Sequence, residues 1–383
     1  MAAIDLNELN KKYKGFFLPK VKVYLGGADP EEDKKARVRV ANFVVELTSD
    51  LKASIATFSI INAFSPITGA FDVKSVKKYI MLGLDVRILM GHDSEITEVF
   101  VGYISGVDFV YNSELAADSE IRITAMDVKG IMMANNSSKR LKANYYSDAV
   151  KEILNGDAYQ NLTNSSVIRS ITVSDTPDKP PGGAAGETPD NRIEMVAESD
   201  YDFVVKAAKR FNYEFFSIGG NIAFRAAKAN TQLLAEIYPS NMIVDFDVGY
   251  NITGVVGQVT VRTLDIGKAK KIEVKKKNAN KFSLGSKAKP LISSQNYVYI
   301  DSSIESQDEA TNRAAYIMED MSYRLGTIKM TLNGMPEFVP GRFIELKDFG
   351  DGVSNRFYIT DVIHEYSGKG KYTTTIEGKA STL

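Results

Sequence analysis

The chain has no cysteine and no tryptophan, and only two histidines among 383 residues. Without thiols, disulfides, thiolate metal sites and cysteine nucleophiles are excluded. With imidazole confined to His92 and His364, serine-hydrolase triads and multi-histidine zinc sites lose the group they depend on. His92 falls in a Gly-Asp-Ser turn and His364 in an alternating strand, so both are expected to be structural or solvated. No apolar run reaches the roughly 18 residues that a membrane-spanning helix needs. The N-terminal MAAIDLNELNKKYKGFF carries charges where a signal peptide has its apolar stretch, so the protein is expected to be made and kept soluble. An excess of one charge is missing too: 47 basic residues face 48 acidic ones. That balance argues against a general polyanion binder, whose affinity rests on surplus Lys and Arg.

What is present is a pattern written twice. Residues 340–377 read PGRFIELKDFGDGVSNRFYITDVIHEYSGKGKYTTTIEG, and residues 83–127 follow the same plan. A glycine (Gly341, Gly83) opens an alternating strand (Phe343, Glu345; Val86, Ile88), and a polar turn follows. The next strand is Tyr358-Ile359-Thr360-Asp361-Val362 in one copy and Tyr103-Ile104-Ser105-Gly106-Val107 in the other. A third strand pairs Tyr372 to Ile376 with Ile121 to Ala125. The glycine-to-tyrosine spacing is 17 residues in one copy and 20 in the other, a difference of loop length alone. Two such units in one chain predict a body that presents nearly the same surface twice.

Between these units the periodicity changes. Ser147 is placed to cap a helix with Ala149, Val150, Ile153 and Leu154 on one face, ended by Gly156. TPDKPPGGAAGETPDN at 176–191 has too many Pro and Gly to pack, and lacks the Gly-Lys-Ser/Thr of a phosphate loop. Ser199 and Asp202 form a capping signature before Phe203, Val204, Ala207, Ala208 and Phe211, which repeat at helical spacing. A hairpin follows: YEFFSI, a Gly219-Gly220-Asn221 turn, and IAFRA. Its Tyr213, Phe215, Phe216 and Phe224 are expected in the core. Further on, Val244, Phe246 and Val248 alternate, as do residues 255–263. The lysines Lys268, Lys270, Lys271, Lys275, Lys276, Lys277 and Lys281 suit an edge-protecting arm better than a phosphate patch. Ser306 and Glu309 then start a helix with Ala310, Ala314, Ile317 and Met321 along its buried side.

The expected fold is α+β and mainly β: two similar small antiparallel β-barrel domains flanking an inserted α+β domain. The boundaries are an N-terminal arm at 1–19 and a first barrel at 20–138. The α+β domain at 139–238 includes a loose loop at 174–192. The second barrel at 239–383 includes a helix at 306–325.

Three passages, in this order, carry a family resemblance. Ser199-Asp200-Tyr201-Asp202-Phe203 followed by Phe211-Asn212-Tyr213-Glu214-Phe215-Phe216 is a helix-then-aromatic-strand signature. Val259-Thr260-Val261-Arg262-Thr263-Leu264-Asp265 is a strand leading into the second barrel, with Thr263-Leu264 where the family often has Gly-Trp. The third is Glu309-Ala310, Pro340-Gly341 and the strands Tyr358 to His364 and Tyr372 to Thr375. Over roughly 140–383 the chain resembles the late control gene D family, the tail hub of contractile phages and phage-derived injection machines. It is similar to the hub portion of VgrG-type spike proteins as well.

The resemblance implies a homotrimer whose three copies, each with two alike barrels, join a threefold spike to a sixfold tail tube and line an axial channel. The implied partners are a separate spike protein, a tail tube protein and other baseplate proteins. VgrG-type chains run on into a spike, whereas this one stops at Leu383. The implied product is made in the bacterial cytoplasm and assembled into the baseplate of a phage tail or tail-like particle. No membrane span, cofactor, metal, catalytic residue or specific nucleic-acid binding is expected. The interaction candidates are Gly83, Tyr103, Phe203, Phe211, Phe215, Phe216, Pro340, Gly341 and Tyr358. Three rivals are weighed against this, the weakest being nucleic-acid contact through the lysines at 268–281, against which the balanced charge argues. A tail-tip receptor- or glycan-binding protein would need neither the repeat nor the helix–hairpin block. A cell-envelope hydrolase would need two carboxylates across a cleft; its candidates, Glu95 and Glu98, read as part of a polar loop without an aromatic platform.

Overall fold

The computed structural model describes residues 3–36, 39–112, 119–179, 193–241, 243–265, 270–279, 287–302, 304 and 306–383. Most of the loop at 174–192, together with Lys268 and Lys281 of the lysine run, lies outside the described residues. Twelve strands form one mainly antiparallel sheet. The first six are β1 (Pro19–Leu25), β2 (Arg39–Thr48), β3 (Ile55–Ile61), β4 (Asp85–His92), β5 (Glu95–Val110) and β6 (Glu120–Met126). The last six are β7 (Leu233–Ile237), β8 (Ile243–Tyr250), β9 (Gly326–Asn333), β10 (Phe343–Leu346), β11 (Arg356–Ser367) and β12 (Lys371–Ala380).

Their neighbours in space repeat. The first unit runs β1-β4-β5-β6-β3-β2, and the second runs β7-β10-β11-β12-β9-β8, the same order with every number raised by six. One pairing differs in sense: β1 is antiparallel to β4, whereas β7 is parallel to β10. The units join edge to edge through β2 and β11, from Phe43 opposite Tyr366 to Thr48 opposite Asp361. Alternation along each strand sends one face inward. On β9 this face is Gly326, Ile328, Met330 and Leu332; on β12 it includes Tyr372, Thr374 and Ile376. The inward residues of both units belong to one continuous apolar core. β7 belongs to this sheet, so the second unit begins within the stretch expected to close the α+β domain.

The N-terminal arm ties the two units together away from that joint. Asp5 caps α1 (Leu6–Lys12), and the Ile4 amide donates to Leu234 O across 2.6 Å. Tyr13 Oη donates to Glu337 Oε1 at 2.5 Å and Lys12 pairs with the same carboxylate at 2.8 Å. Both histidines are buried here. His92 Nε2 donates to Gly334 O at 2.7 Å, and its ring lies among Tyr13, Phe16 and Tyr372. His364 Nδ1 lies 3.1 Å from both Thr374 Oγ1 and Tyr372 Oη. Burial pushes His364 down to about 4, against the opposing pull of the Phe338 carbonyl, and pushes His92 down as well.

A depressed folded-state value for a base means that the unfolded chain holds more protons between that value and about 6.5. The stabilisation is therefore complete above about pH 6.5 and is lost as pH falls towards 4. His364 alone is expected to contribute roughly 3 kcal/mol of this loss. Urea unfolding at several pH values should show that slope, flattened in His364→Gln. An equal slope in the variant would contradict it.

The inserted block has its own core. α2 (Tyr146–Leu154) and α3 (Asp200–Phe211) pack with a three-stranded sheet of Ser170–Val173, Asn221–Ala226 and Tyr213–Ile218. Ser199 and Asp202 make the expected reciprocal cap on α3. Ser147 does not cap α2. It lies inside the helix, and the first-turn amides of Tyr146 and Ser147 donate to Asp178 and Thr176 at 3.0 and 2.9 Å. A further sheet of Gln258–Asp265, Lys270–Lys277 and Asn296–Ile300 is inserted between β8 and β9. α4 (Gln307–Ser322) covers it with Ala310, Ala314, Met318 and Met321, a separate small core. The lysine-bearing strand lies at the edge of that sheet, where Lys271 and Lys275 pair with Glu273 at 2.6 and 3.4 Å.

Candidate assembly surface

The two glycines of the repeated pattern do the same job. Gly83 has φ +83° and Gly341 φ +80°, the left-handed region that glycine enters without steric cost. Gly83 N donates to Ile104 O at 2.8 Å and Ile104 N to Leu84 O at 2.8 Å. Gly341 N donates to Ile359 O at 2.9 Å and Ile359 N to Arg342 O at 2.8 Å. Two residues on, Asp85 lies opposite Tyr103 and Phe343 opposite Tyr358. A bulge follows at the matching place in each copy, between Ile104 and Gly106 and between Ile359 and Asp361. Beyond it Val107 faces Ile123, and Val362 faces Ile376. Ile376 thus corresponds to Ile123 rather than Ala125, a shift of two from the pairing read in the sequence. In the opening strand, Ile344 and Leu346 face the core as Val86 and Ile88 do.

Of the other interaction candidates, three lie within the inserted block, and Phe216 and Pro340 lie where it meets the second unit. Phe203 and Phe215 are wholly inside the block's core, and Phe211 packs edge-on to Tyr146 at 5.5 Å. Phe216 lies under the Arg225 guanidinium at 5.1 Å and beside Gly341, next to the buried Pro340. Arg225 donates to Glu214 at 2.5 Å and to Gly341 O at 2.9 Å, and Tyr358 Oη donates to the same Glu214. Burial, with Glu214 beside it, pushes the Tyr358 phenol far up, so it stays a donor. Tyr103, its counterpart, is pushed up to about 12 by burial and by Asp127. Below it the buried Lys129 amine donates to Asp50 O at 3.2 Å and also to Lys52 O. Burial drives the Lys129 ammonium down and the Asp127 carboxyl up, while their attraction across 3.9 Å opposes both shifts.

The strand edges are where the two units stop being alike. β2 is paired on both sides, by β3 and β11; among the described residues its counterpart β8 is paired only by β9. The stretch of β11 at 361–366 is covered by β2. In β5 the corresponding stretch, 106–110, has β6 on one side and no strand on the other among the described residues. Burial follows. Phe43 is 1% exposed and its counterpart Phe246 42%; His364 is 0% exposed and its counterpart Phe109 48%. Tyr366 packs edge-on to Phe43 at 6.3 Å, while its counterpart Tyr111 is 58% exposed. With Phe64 and Phe71, Phe109 and Tyr111 form an open aromatic row. The alternation of these strands does not tell a paired edge from an open one.

The family model for the Alg8 N-terminal domain matches residues 30–368. The chain belongs to that family. The Alg8 N-terminal domain model is not that of the late control gene D family, and the likeness to tail proteins is carried instead by solved folds. One is the tail protein from Neisseria meningitidis MC58, at 13% identity and a TM-score of 0.65, covering 95% of this chain and 97% of that one. A second is the 43 kDa tail protein of prophage MuSo2 from Shewanella oneidensis, at 11% identity and TM-score 0.63, covering 95% and 98%. A third is the Escherichia coli c3393 protein, a type VI secretion component described as similar in structure to the T4 tail proteins gp27 and gp5. It matches at 11% identity and TM-score 0.54, covering 93% and 76%. At these identities the likeness is one of fold: this Alg8 N-terminal domain protein has the mainly β fold of tail proteins. No curated protein matches the sequence.

In this member of the Alg8 N-terminal domain family the two carboxylates considered for hydrolysis stand on a strand, β5, and not in a loop. Burial would raise the Glu98 carboxyl, but Arg169 and Arg87, at 2.5 and 2.8 Å, outweigh it and hold it below the ordinary range. That is the opposite of the raised acid that glycoside hydrolysis requires. A cleft of about 560 Å³, lined by Tyr213, Tyr297, Tyr299, Tyr316 and Tyr323, opens between the inserted block, the small sheet and the second unit. It is the feature a glycan-binding reading would use.

Proposed function

We propose that this protein is a structural hub of the baseplate of a contractile tail or injection system. Three copies form a homotrimer that joins a threefold central spike to a sixfold tail tube and lines the axial channel. The observation that carries this reading is the strand order shared by the two units. Two alike surfaces per copy make six around a threefold axis, so one ring matches both neighbours without a dedicated adaptor. The tail-protein fold of the solved neighbours supports the same setting. The work is binding and templating, with no bond broken and no cofactor used.

Native mass spectrometry of the 42.2 kDa chain with the tube protein tests this. Three hub copies should hold six tube subunits. A one-to-one complex, or capture of glycans with no tube binding, would contradict it.

A further inference from the structure

The small sheet inserted between β8 and β9 has two edges of opposite character. One is the strand Lys270–Lys277, whose lysines guard it against stray pairing. The other is Asn296–Ile300, which has no charged side chain and leaves Tyr297, Val298 and Ile300 exposed. Among the described residues it is paired on one side only, by Gln258–Asp265. Gln295 O accepts from Gln258 N, and Asp301 N donates to Arg262 O, so the odd-numbered residues point towards that neighbour. The amides and carbonyls of Asn296, Val298 and Ile300 point the other way and have no backbone partner among the described residues.

This edge borders the tyrosine-lined cleft. Tyr297 and Tyr299 stand on the face of the strand that α4 covers, and both line the cleft. Five bases line it as well, Lys209, Lys228, Arg313, Arg324 and Lys379, against Asp50, Glu214 and Asp320. Asp320 is paired with Arg324 at 2.8 Å, and Glu214 is held by Arg225. Lys209 and Lys379 are exposed and have no ion-pair partner among the described residues. Lys228, held at φ +59°, reaches Glu319 only at 3.9 Å. Its ammonium lies 4.4 Å over the Tyr323 ring, and the Arg313 guanidinium 5.5 Å over Tyr299. Cations thus cover ring faces that a sugar would stack on, and the cleft presents positive charge in their place.

We infer that the edge strand Asn296–Ile300 accepts an extended acidic segment of a partner protein as an added strand. Main-chain hydrogen bonds to Asn296, Val298 and Ile300 hold it, and its alternate side chains stand beside Tyr297 and Tyr299, over the bases of the cleft. The partner is acidic because the unpaired charge of the cleft is basic, and extended because the open groups are those of a strand. Loss of this contact leaves the native mass of the hub with its tube unchanged.

The probe is a labelled seven-residue peptide of alternating threonine and glutamate with blocked ends, its binding to the full chain read by fluorescence anisotropy. It should bind roughly tenfold more tightly than the same peptide with lysine for glutamate. Methylating one alternate set of its amide nitrogens should abolish binding, and methylating the other set should spare it, because a strand pairs along one edge at a time. These peptides test the edge without altering the protein. Val298→Pro removes an outward amide and keeps the ladder to Gln258–Asp265, so it should weaken binding roughly tenfold at an unchanged melting temperature. Lys209→Glu with Lys379→Glu should weaken it as much. Equal binding of the acidic and basic peptides, equal effects of the two methylated sets, or binding of a chito-oligosaccharide without binding of the peptide would overturn the assignment.

Discussion

Replacing Gly341 with valine is expected to lower the unfolding free energy by about 4 kcal/mol, and the same change at Gly83 by about half as much. Both residues have φ near +80°, where a β-branched side chain is strained wherever it sits. That shared strain costs about 1–3 kcal/mol. The difference lies in the surroundings. A Cβ on Gly341 would come within 3.2 Å of Phe216 and 3.3 Å of Arg225, whereas one on Gly83 meets nothing within 4 Å. Phe216 and Arg225 are held by the inserted block, so Gly341→Val prises the block from the second unit as well as straining the turn. Urea midpoints for the two variants measure the contrast. Equal losses would mean that the block does not press on the turn.

Glu214→Ala is expected to cost about 3 kcal/mol. Its carboxylate receives Arg225 and the Tyr358 hydroxyl, and both donors would be left facing an emptied, largely buried site. The loss should not be that of a surface ion pair, because Glu214 is only 6% exposed. Adding Arg225→Ala should cost much less than Arg225→Ala alone, since the stranded charge goes with its partner. Additive losses in that double-mutant cycle would show that the two side chains act separately.

How far the sequence led depends on which interactions were local. The opening glycines and following tyrosines were legible because a left-handed turn and a strand start leave fixed residue types behind. The α3 cap and the Gly219-Gly220 hairpin were legible for the same reason: each is settled within a few positions. The α2 cap was not, because its acceptors, Thr176 and Asp178, lie about thirty residues downstream. β7 was counted with the block because its partner β10 lies over a hundred residues away. The third-strand register slipped by two because a period of two has the same phase after every second residue. The open edges were illegible for a deeper reason. Phe43 and Phe246 sit in equally alternating strands, and only the presence of β11 beside one of them separates a buried ring from a half-exposed one.

The central claim is that the two units of one chain are interchangeable places in a ring. A three-dimensional electron-microscopy reconstruction of the hub on its tail tube, with only threefold symmetry imposed, tests it most directly. Six similar β densities at one axial level are expected, alternating between first and second units. Units stacked at two different levels would contradict the account.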